Sequence, residues 1–259
     1  MESKLAYLQL IKFRYHITFL TVVFAALIFG GRIDASILRS LFQLYLSFDV
    51  LFYGGIYTFN DLRDLNSDKL HPRKKNRPVA SGRVSVAAAR RFATVLVLSG
   101  LMTVLMLFGW PMFLVYGAIL LLNVFYSLFA RNVPYLDIAI NAATHPFRFL
   151  LGVLLTDGGI PLLHMSAYFF FVFGLCCLRR ELEKDIPGWE ARQTLKAYSP
   201  RVLRLLESLS LILVLVLFFI DGFISKGFYS IVIATYLVVV LGARWSRMIR
   251  QLLYGMWTR

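Results

Sequence analysis

The chain has 259 residues, of which 59% are hydrophobic and 16% charged, with a mean hydropathy of +0.69. Soluble domains run at about 45–50% apolar and about 25% charged, so the composition excludes an ordinary soluble domain and points to a membrane chain. A formal charge of +14 by itself suggests nucleic acid, but the cations are segregated into alternate loops, which argues against that partner.

In chain order, stretches of roughly 20 apolar residues give about eight spans, near 15–31, 36–60, 87–108, 110–130, 135–156, 161–180, 202–222 and 227–244. The first is long and lacks a small-residue cleavage site, so it is read as a retained helix and not as a signal peptide. Two long polar loops, 61–86 and 181–201, follow spans two and six. The expected fold is all-α: a multi-pass transmembrane helical bundle of about 8–9 spans, in two pseudo-repeated four-helix halves, occupying residues 1–244. In the tail, 245–259, Trp245, Met248, Ile249, Leu252, Leu253 and Met256 share one helical face, and Arg244, Arg247 and Arg250 lie toward the other. That pattern predicts an interfacial amphipathic helix.

Lys4, Lys12 and Arg14 precede the first span, and the two long loops and the tail hold most of the remaining Lys and Arg. The alternate loops carry Arg32, Arg39 and Lys226. This asymmetry predicts both termini and both long loops on the cytoplasmic side of a cell (inner) membrane. Cys176 and Cys177 are neighbours inside a span, so they neither staple loops nor have metal-ligand spacing.

The first loop carries the chemistry. Asp61, Asp64 and Asp68 recur at helical spacing, with Asn60 one turn before Asp64. Carboxylates on one face repel and call for a cation. Mg²⁺ takes oxygen ligands and leaves positions for water or phosphate. Lys69, Arg73, Lys74, Lys75 and Arg77 follow at once, a cation supply for phosphate oxygens that the metal leaves free.

The run Asn60-Asp61-x-x-Asp64-x-x-x-Asp68, followed by His71-Pro72, Lys74-Lys75-Asn76-Arg77-Pro78 and Ser81-Gly82, resembles the first signature of the UbiA superfamily of intramembrane prenyltransferases. Tyr126-Ser127, Leu136-Asp137 and Arg148 extend the similarity. The resemblance implies an all-helical enzyme with Mg²⁺-dependent diphosphate binding in a cavity open to lipid, and usually nine spans. Arg148 to Gly152, Arg179-Arg180-Glu181-Leu182 and Tyr198-Ser199-Pro200 resemble the decaprenyl-phosphate phosphoribosyltransferase branch, which moves 5-phosphoribose from phosphoribosyl diphosphate to a polyprenyl phosphate. The second loop departs from prenyl-transferring relatives. Glu181 and Asp185, one turn apart, remain as candidate ligands of a second metal, but the later acids are replaced by Gly188 and Arg192.

A polar stripe, Asp137, Asn141, His145 and Arg148, lies on one face of span five, which should look into the bundle because a charge facing lipid costs about 2.5–3.5 kcal/mol at mid-span. Asp49, eleven residues before Asn60, is placed at the depth of Arg148, and the two are expected to meet as a buried pair. His145-Pro146 is read as the internal helix break. Phe169, Phe170, Phe171 and Phe173 either line a cleft or face lipid, with lipid favoured for most of them.

The resulting expectation is an enzyme with catalytic and metal-holding Asp61, Asp64 and Asp68 and a Mg²⁺ cofactor. Its binding residues are Asn60, Lys69, Arg73, Lys74, Lys75, Arg77, Tyr126, Asp137, Arg148, Arg179, Arg180, Glu181, Lys184, Asp185 and Tyr198. Its partners are a diphosphate donor, a polyprenyl lipid acceptor and the bilayer, without nucleic acid. Phosphoribosyl transfer is the favoured reaction. Prenyl transfer to an aromatic or alcohol acceptor, and non-enzymatic transport, are the alternatives.

Overall fold

A computed structural model describes residues 2–31, 34–71, 73–156, 158–185, 193–221 and 226–258. All regular structure among them is helical: α1 (Glu2–Ile11), α2 (Leu20–Gly30), α3 (Ala35–Tyr45), α4 (Gly54–Arg63), α5 (Leu65–Leu70), α6 (Val86–Leu128), α7 (Leu136–Leu154), α8 (Leu162–Glu183), α9 (Gln193–Lys196), α10 (Pro200–Asp221), α11 (Lys226–Trp245) and α12 (Arg247–Thr258). The chain divides into two compact units, residues 1–118 with 151–158, and residues 119–150 with 159–259.

Among the described residues, six helical stretches are long and apolar enough to cross a membrane: Leu5–Gly30, Ala35–Arg63, Val86–Leu128, Leu162–Glu183, Pro200–Asp221 and Lys226–Trp245. Two features separate this number from the eight spans read in the sequence. The 43-residue α6 is broken at Gly109, whose φ of 76° and ψ of −170° belong to a region that glycine alone occupies readily. Pro111 follows, fitted to restart a helix because its missing N–H would have no partner in the first turn. The break falls between the two spans read there. The other feature is α7, which is 19 residues long and carries the ionisable stripe. It runs without interruption through Pro146, so the break expected at His145-Pro146 does not occur.

In the first unit, the Asp34 side chain caps α3 by accepting from the N–H groups of Ser36 and Ile37, each at 2.9 Å. The chain then widens into a π-helix over Leu46–Tyr53 before α4 begins. Such winding uses i→i+5 bonds, so the 3.6-residue spacing counted back from Asn60 does not hold strictly over Asp49 to Tyr53. Asp49 and Arg148 are both buried, the first in this unit and the second in the other.

The π-helix is held against α6 at small residues. A Cβ on Gly100 would lie 2.9 Å from the Phe52 nitrogen, and one on Gly55 would lie 2.7 Å from the Ala93 carbonyl. Ser47 donates to the Gly100 carbonyl at 3.1 Å, and the Tyr116 hydroxyl donates to Ser47 at 3.1 Å. Close backbone approach through glycine, with short hydroxyl bridges, is how helices associate where lipid removes the hydrophobic drive. A second contact matters for the site. Ala6 and Leu10 of α1 pack with Val79, Val84 and Ala89, pinning the first polar loop to the N-terminal helix.

In the second unit α8 packs along α10, and α11 and α12 lie against α8. Ile138, Cys177, Leu195, Tyr198 and Leu203 form its core beneath the second polar loop. Cys176 and Cys177 are free thiols. Phe171 turns inward toward Tyr168, at 5.7 Å between ring centroids, while Phe169 and Phe173 are half-buried. The outer helix faces are apolar, with Met106 79% and Phe219 78% exposed, as a lipid surface requires.

Gly100→Val should drive α6 away from the π-helix and destabilise the protein by about 1–3 kcal/mol. The measurement is the thermal unfolding midpoint in detergent, and an unchanged midpoint contradicts this packing.

Candidate functional site

Asp61 and Asp68 flank a local break in the helix. α4 ends at Arg63, Asp64 takes φ −85° and ψ 0°, and α5 starts at Leu65. The Asp68 N–H still reaches the Asp64 carbonyl at 2.8 Å, so the turn is deformed without losing its bond. Asp61 and Asp68 are each only 2% exposed, and Asp64 is half-buried.

Two carboxylates buried this deeply need positive charge beside them. Arg77 supplies it: its Nη1 lies 2.9 Å from Asp61 Oδ1 and 2.7 Å from Asp68 Oδ2. Lys12 donates to the same Asp61 oxygen at 2.6 Å. Arg63 stands 3.5 Å from Asp64. Burial lowers the Arg77 pKa, but Asp61 and Asp68 outweigh it and the net shift is upward. Burial also raises the Asp64 pKa above the ordinary carboxylate value, against a partial offset from Arg63.

The loop that presents Arg77 is built by its own hydrogen bonds. His71 Nδ1 accepts from the N–H groups of Arg73 and Lys74, both at 3.2 Å, and this caps the short 3₁₀ turn at Lys74–Asn76. Burial, and then Lys74, push the His71 pKa down, which keeps that nitrogen an acceptor. Ser81 donates to the Arg77 carbonyl at 2.8 Å, Arg83 donates to the Asn76 carbonyl at 2.6 Å, and Gly82 takes a φ of 78° to close the turn. Lys69, Arg73, Lys74 and Lys75 project outward, and among the described residues they form no ion pair. Pro72 lies outside the described residues.

Among the described residues, no three His, Cys, Asp or Glu side chains converge on one metal position. Mg²⁺ does not require that, since it is commonly held by one or two carboxylates with water and phosphate as the remaining ligands. Asp61 Oδ2 is buried and has no hydrogen-bond partner, so one lone-pair set stays unused beside Asp64 and Asp68. An all-oxygen acidic cluster with such an orphan acceptor fits a hard divalent cation.

The second unit groups the remaining sequence-read residues differently. Asp137 is fully buried and accepts from Arg180 Nε at 3.1 Å, from Arg180 Nη2 at 2.8 Å and from the Tyr198 hydroxyl. Arg180 also pairs with Glu183 at 2.7 Å, and Arg179 holds the other Glu183 oxygen at 2.8 Å. Glu181 meets Arg204 at 2.7 Å, and Arg244 meets Glu207 at 2.6 Å. Lys184 donates to the Tyr198 carbonyl at 2.5 Å. Burial, followed by the bond to Asp137, raises the Tyr198 pKa and keeps the phenol a donor. Asp185 accepts from Tyr254 of α12 at 3.0 Å, and the Tyr254 pKa is pushed up to about 12, by burial first and then by that bond.

Glu181 and Asp185, proposed from the sequence as ligands of a second metal, are thus engaged by Arg204 and by the C-terminal helix. Residues 186–192, which include the Gly188 and Arg192 departures, lie outside the described residues. Asn60 is half-buried beside the first cluster, Tyr126 is half-buried in α6, and Arg148 is buried in α7. Sequence reasoning missed Lys12, Arg204, Glu207 and Tyr254 as members of these networks. Lys12 read as one more topology cation, and nothing local to it signals Asp61, 49 residues away.

Residues 17–254 match the profile of the UbiA prenyltransferase family. The chain therefore belongs to that family, a family of transferases, and it is a multi-pass membrane protein. It is 28% identical over 196 residues to decaprenyl-phosphate phosphoribosyltransferase of Corynebacterium glutamicum, a match covering 71% of this chain and 58% of that protein, less than two thirds of its length. It is 30% identical over 101 residues to digeranylgeranylglyceryl phosphate synthase of Methanocaldococcus jannaschii, covering 39% of this chain and 34% of that one. A UbiA homologue from Archaeoglobus fulgidus, solved bound to GPP and Mg²⁺, superposes with a TM-score of 0.75 at 19% identity, covering 98% of this chain and 95% of that chain. At this identity the likeness is one of fold.

Asp137→Ala strips the partner from a buried guanidinium and should cost about 3–5 kcal/mol. Thermal unfolding in detergent measures it, and a loss no larger than that of a surface substitution contradicts a closed ion network.

Proposed function

We propose that this protein is a Mg²⁺-dependent transferase that moves 5-phosphoribose from phosphoribosyl diphosphate to a polyprenyl phosphate. One observation carries the reading. The acidic cluster of the first loop borders four exposed cations that form no ion pair among the described residues, whereas Arg179, Arg180, Lys184, Arg204 and Arg244 of the second unit are each engaged by an acid or a carbonyl. One acidic site with surplus positive charge suits a donor bearing three phosphorus centres better than an allylic diphosphate held by two metals. The similarity to the Corynebacterium relative supports the same substrate class.

Asp61, Asp64 and Asp68 would hold the cation, and Mg²⁺, when bound, would neutralise the leaving diphosphate. Lys69, Arg73, Lys74 and Lys75 reach from the loop rim to bind the 5-phosphate and the diphosphate oxygens. Arg77 stabilises negative charge as it grows on the diphosphate. In the transfer, a lipid phosphate oxygen attacks the sugar C1 as the bond from C1 to the diphosphate oxygen breaks. The diphosphate leaves with the electron pair. The nucleophile is already ionised, so no side chain has to remove a proton. The cation-rich loops and both termini lie on the cytoplasmic side, where a water-soluble sugar donor is available.

Membranes given labelled phosphoribosyl diphosphate and polyprenyl phosphate should form a lipid-linked sugar, lost with EDTA and reduced at least about 100-fold by Asp64→Ala. Burial raises the Asp64 pKa in the metal-free protein, so protons compete with the cation for this carboxyl at a higher pH than for an ordinary aspartate, and Mg²⁺ affinity should weaken there as pH falls. Asp64→Glu should retain part of the activity. Label moving instead from a prenyl diphosphate to an aromatic or alcohol acceptor makes the protein a prenyltransferase, and no turnover of either donor overturns the enzymatic reading.

A further inference from the structure

Lys12 belongs to none of the motifs around the aspartates, yet its ammonium sits on the buried face of the cluster. Nζ is 2.6 Å from Asp61 Oδ1, the oxygen that Arg77 also holds at 2.9 Å, and the Lys12 side chain is only 13% exposed. Its backbone takes φ 57° and ψ 53°, the left-handed region that a lysine seldom enters. Neighbouring structure fixes that conformation. The Lys12 carbonyl accepts from the Tyr15 N–H at 2.9 Å, and Leu10 just before it is locked into the core with Val79 and Val84. The ammonium also stands 5.8 Å from the centre of the Tyr57 ring. A strained residue retained with its charge aimed at one carboxylate marks pre-organisation, not a solvated topology signal.

The two cations on Asp61 differ in freedom. Arg77 is gripped by Asp61 and Asp68 together and rises from a loop stiffened by its own hydrogen bonds. Lys12 makes one carboxylate contact, at the end of a flexible four-carbon stem. A divalent ion approaching Asp61 meets an oxygen already occupied by two positive charges, with Oδ2 as the acceptor left over. An ion held by Oδ2 would lie close to the ammonium and be repelled by it, and an arriving diphosphate offers the ammonium an anion to turn to.

We propose that Lys12 is an internal counter-ion that competes with the divalent cation for Asp61, so that metal alone binds weakly and is held firmly only together with a diphosphate. Lys12 is then a positioning residue that couples the two ligands, and the N-terminal helix that anchors it becomes part of the binding device. The proposal rests on the reading of Asp61, Asp64 and Asp68 as the metal–diphosphate cluster.

The test uses the full chain in detergent, with Mn²⁺ as the probe. Free Mn²⁺ is followed by its paramagnetic resonance signal, with and without inorganic diphosphate. Lys12→Met should tighten binding of Mn²⁺ alone by about five- to tenfold and shrink the enhancement by diphosphate by the same factor, the range of ordinary coupling between two ligands. Lys12→Arg, which keeps the charge, should restore the wild-type pattern. Should Lys12→Met fail to fold, Lys12→Gln removes the charge with a polar side chain and carries the same expectation. Mn²⁺ affinity that is unchanged or weaker in the neutral variants, yet abolished by Asp61→Asn, overturns the competition while leaving the metal reading intact. Mn²⁺ binding that ignores both Asp61→Asn and Asp68→Asn, or no Mn²⁺ binding with or without diphosphate, overturns the metal reading and this proposal with it.

Discussion

Nη1 of Arg77 lies within 3 Å of both Asp61 and Asp68, and the first unit is arranged around that contact. Two carboxylates withdrawn from water repel each other and pay desolvation, and an uncompensated pair would either protonate or force the helix apart. The 3₁₀ turn capped by His71, the Ser81 and Arg83 hydrogen bonds and the left-handed Gly82 together fix the loop that delivers the guanidinium. The packing of Ala6 and Leu10 on Val79 and Val84 ties that loop to α1, whose end brings Lys12 to the same carboxylate. The acidic cluster is therefore charge-compensated by the chain itself.

The second unit uses the same residue types to a different end. Asp137, Arg180, Glu183 and Tyr198 satisfy one another, and Glu181, Glu207, Arg204 and Arg244 form an adjoining set. Buried networks of this sort fix geometry, although Glu181 Oε2 and Glu207 Oε2 are left without a hydrogen-bond partner. Tyr254 extends the network to the C-terminal helix, so the tail read from its pattern as lying at the membrane interface is also docked on a polar loop through Asp185. The contrast between exposed cations without ion pairs at the first loop and engaged cations at the second underlies the proposal of a phosphorylated sugar donor.

The helical class, the two polar loops and the acid-then-base order of residues 60–77 were legible because each is a local pattern: apolar length, charge segregation and spacing at 3.6 residues per turn. The break at Gly109 was legible for the same reason. Three features were not. The π-helix over Leu46–Tyr53 leaves no mark in apolar periodicity. Lys12 and Asp61 are 49 residues apart, and Arg180 and Asp137 are 43 apart, so their pairing follows from tertiary packing that no local window contains. Arg179, Arg180 and Lys184 were read as substrate ligands, and their contacts with Glu183, Asp137 and the Tyr198 carbonyl are not specified by any local motif.

The central claim is that the first-loop cluster holds a phosphoribosyl diphosphate in a metal-dependent way. The most direct measurement is calorimetric titration of the purified protein with phosphoribosyl diphosphate and, separately, with geranyl diphosphate, each with and without Mg²⁺. The account predicts Mg²⁺-dependent binding of the sugar diphosphate that is lost in Asp68→Asn and is tighter than binding of the prenyl diphosphate. Tighter binding of geranyl diphosphate, or sugar binding indifferent to Mg²⁺ and to Asp68, would contradict it.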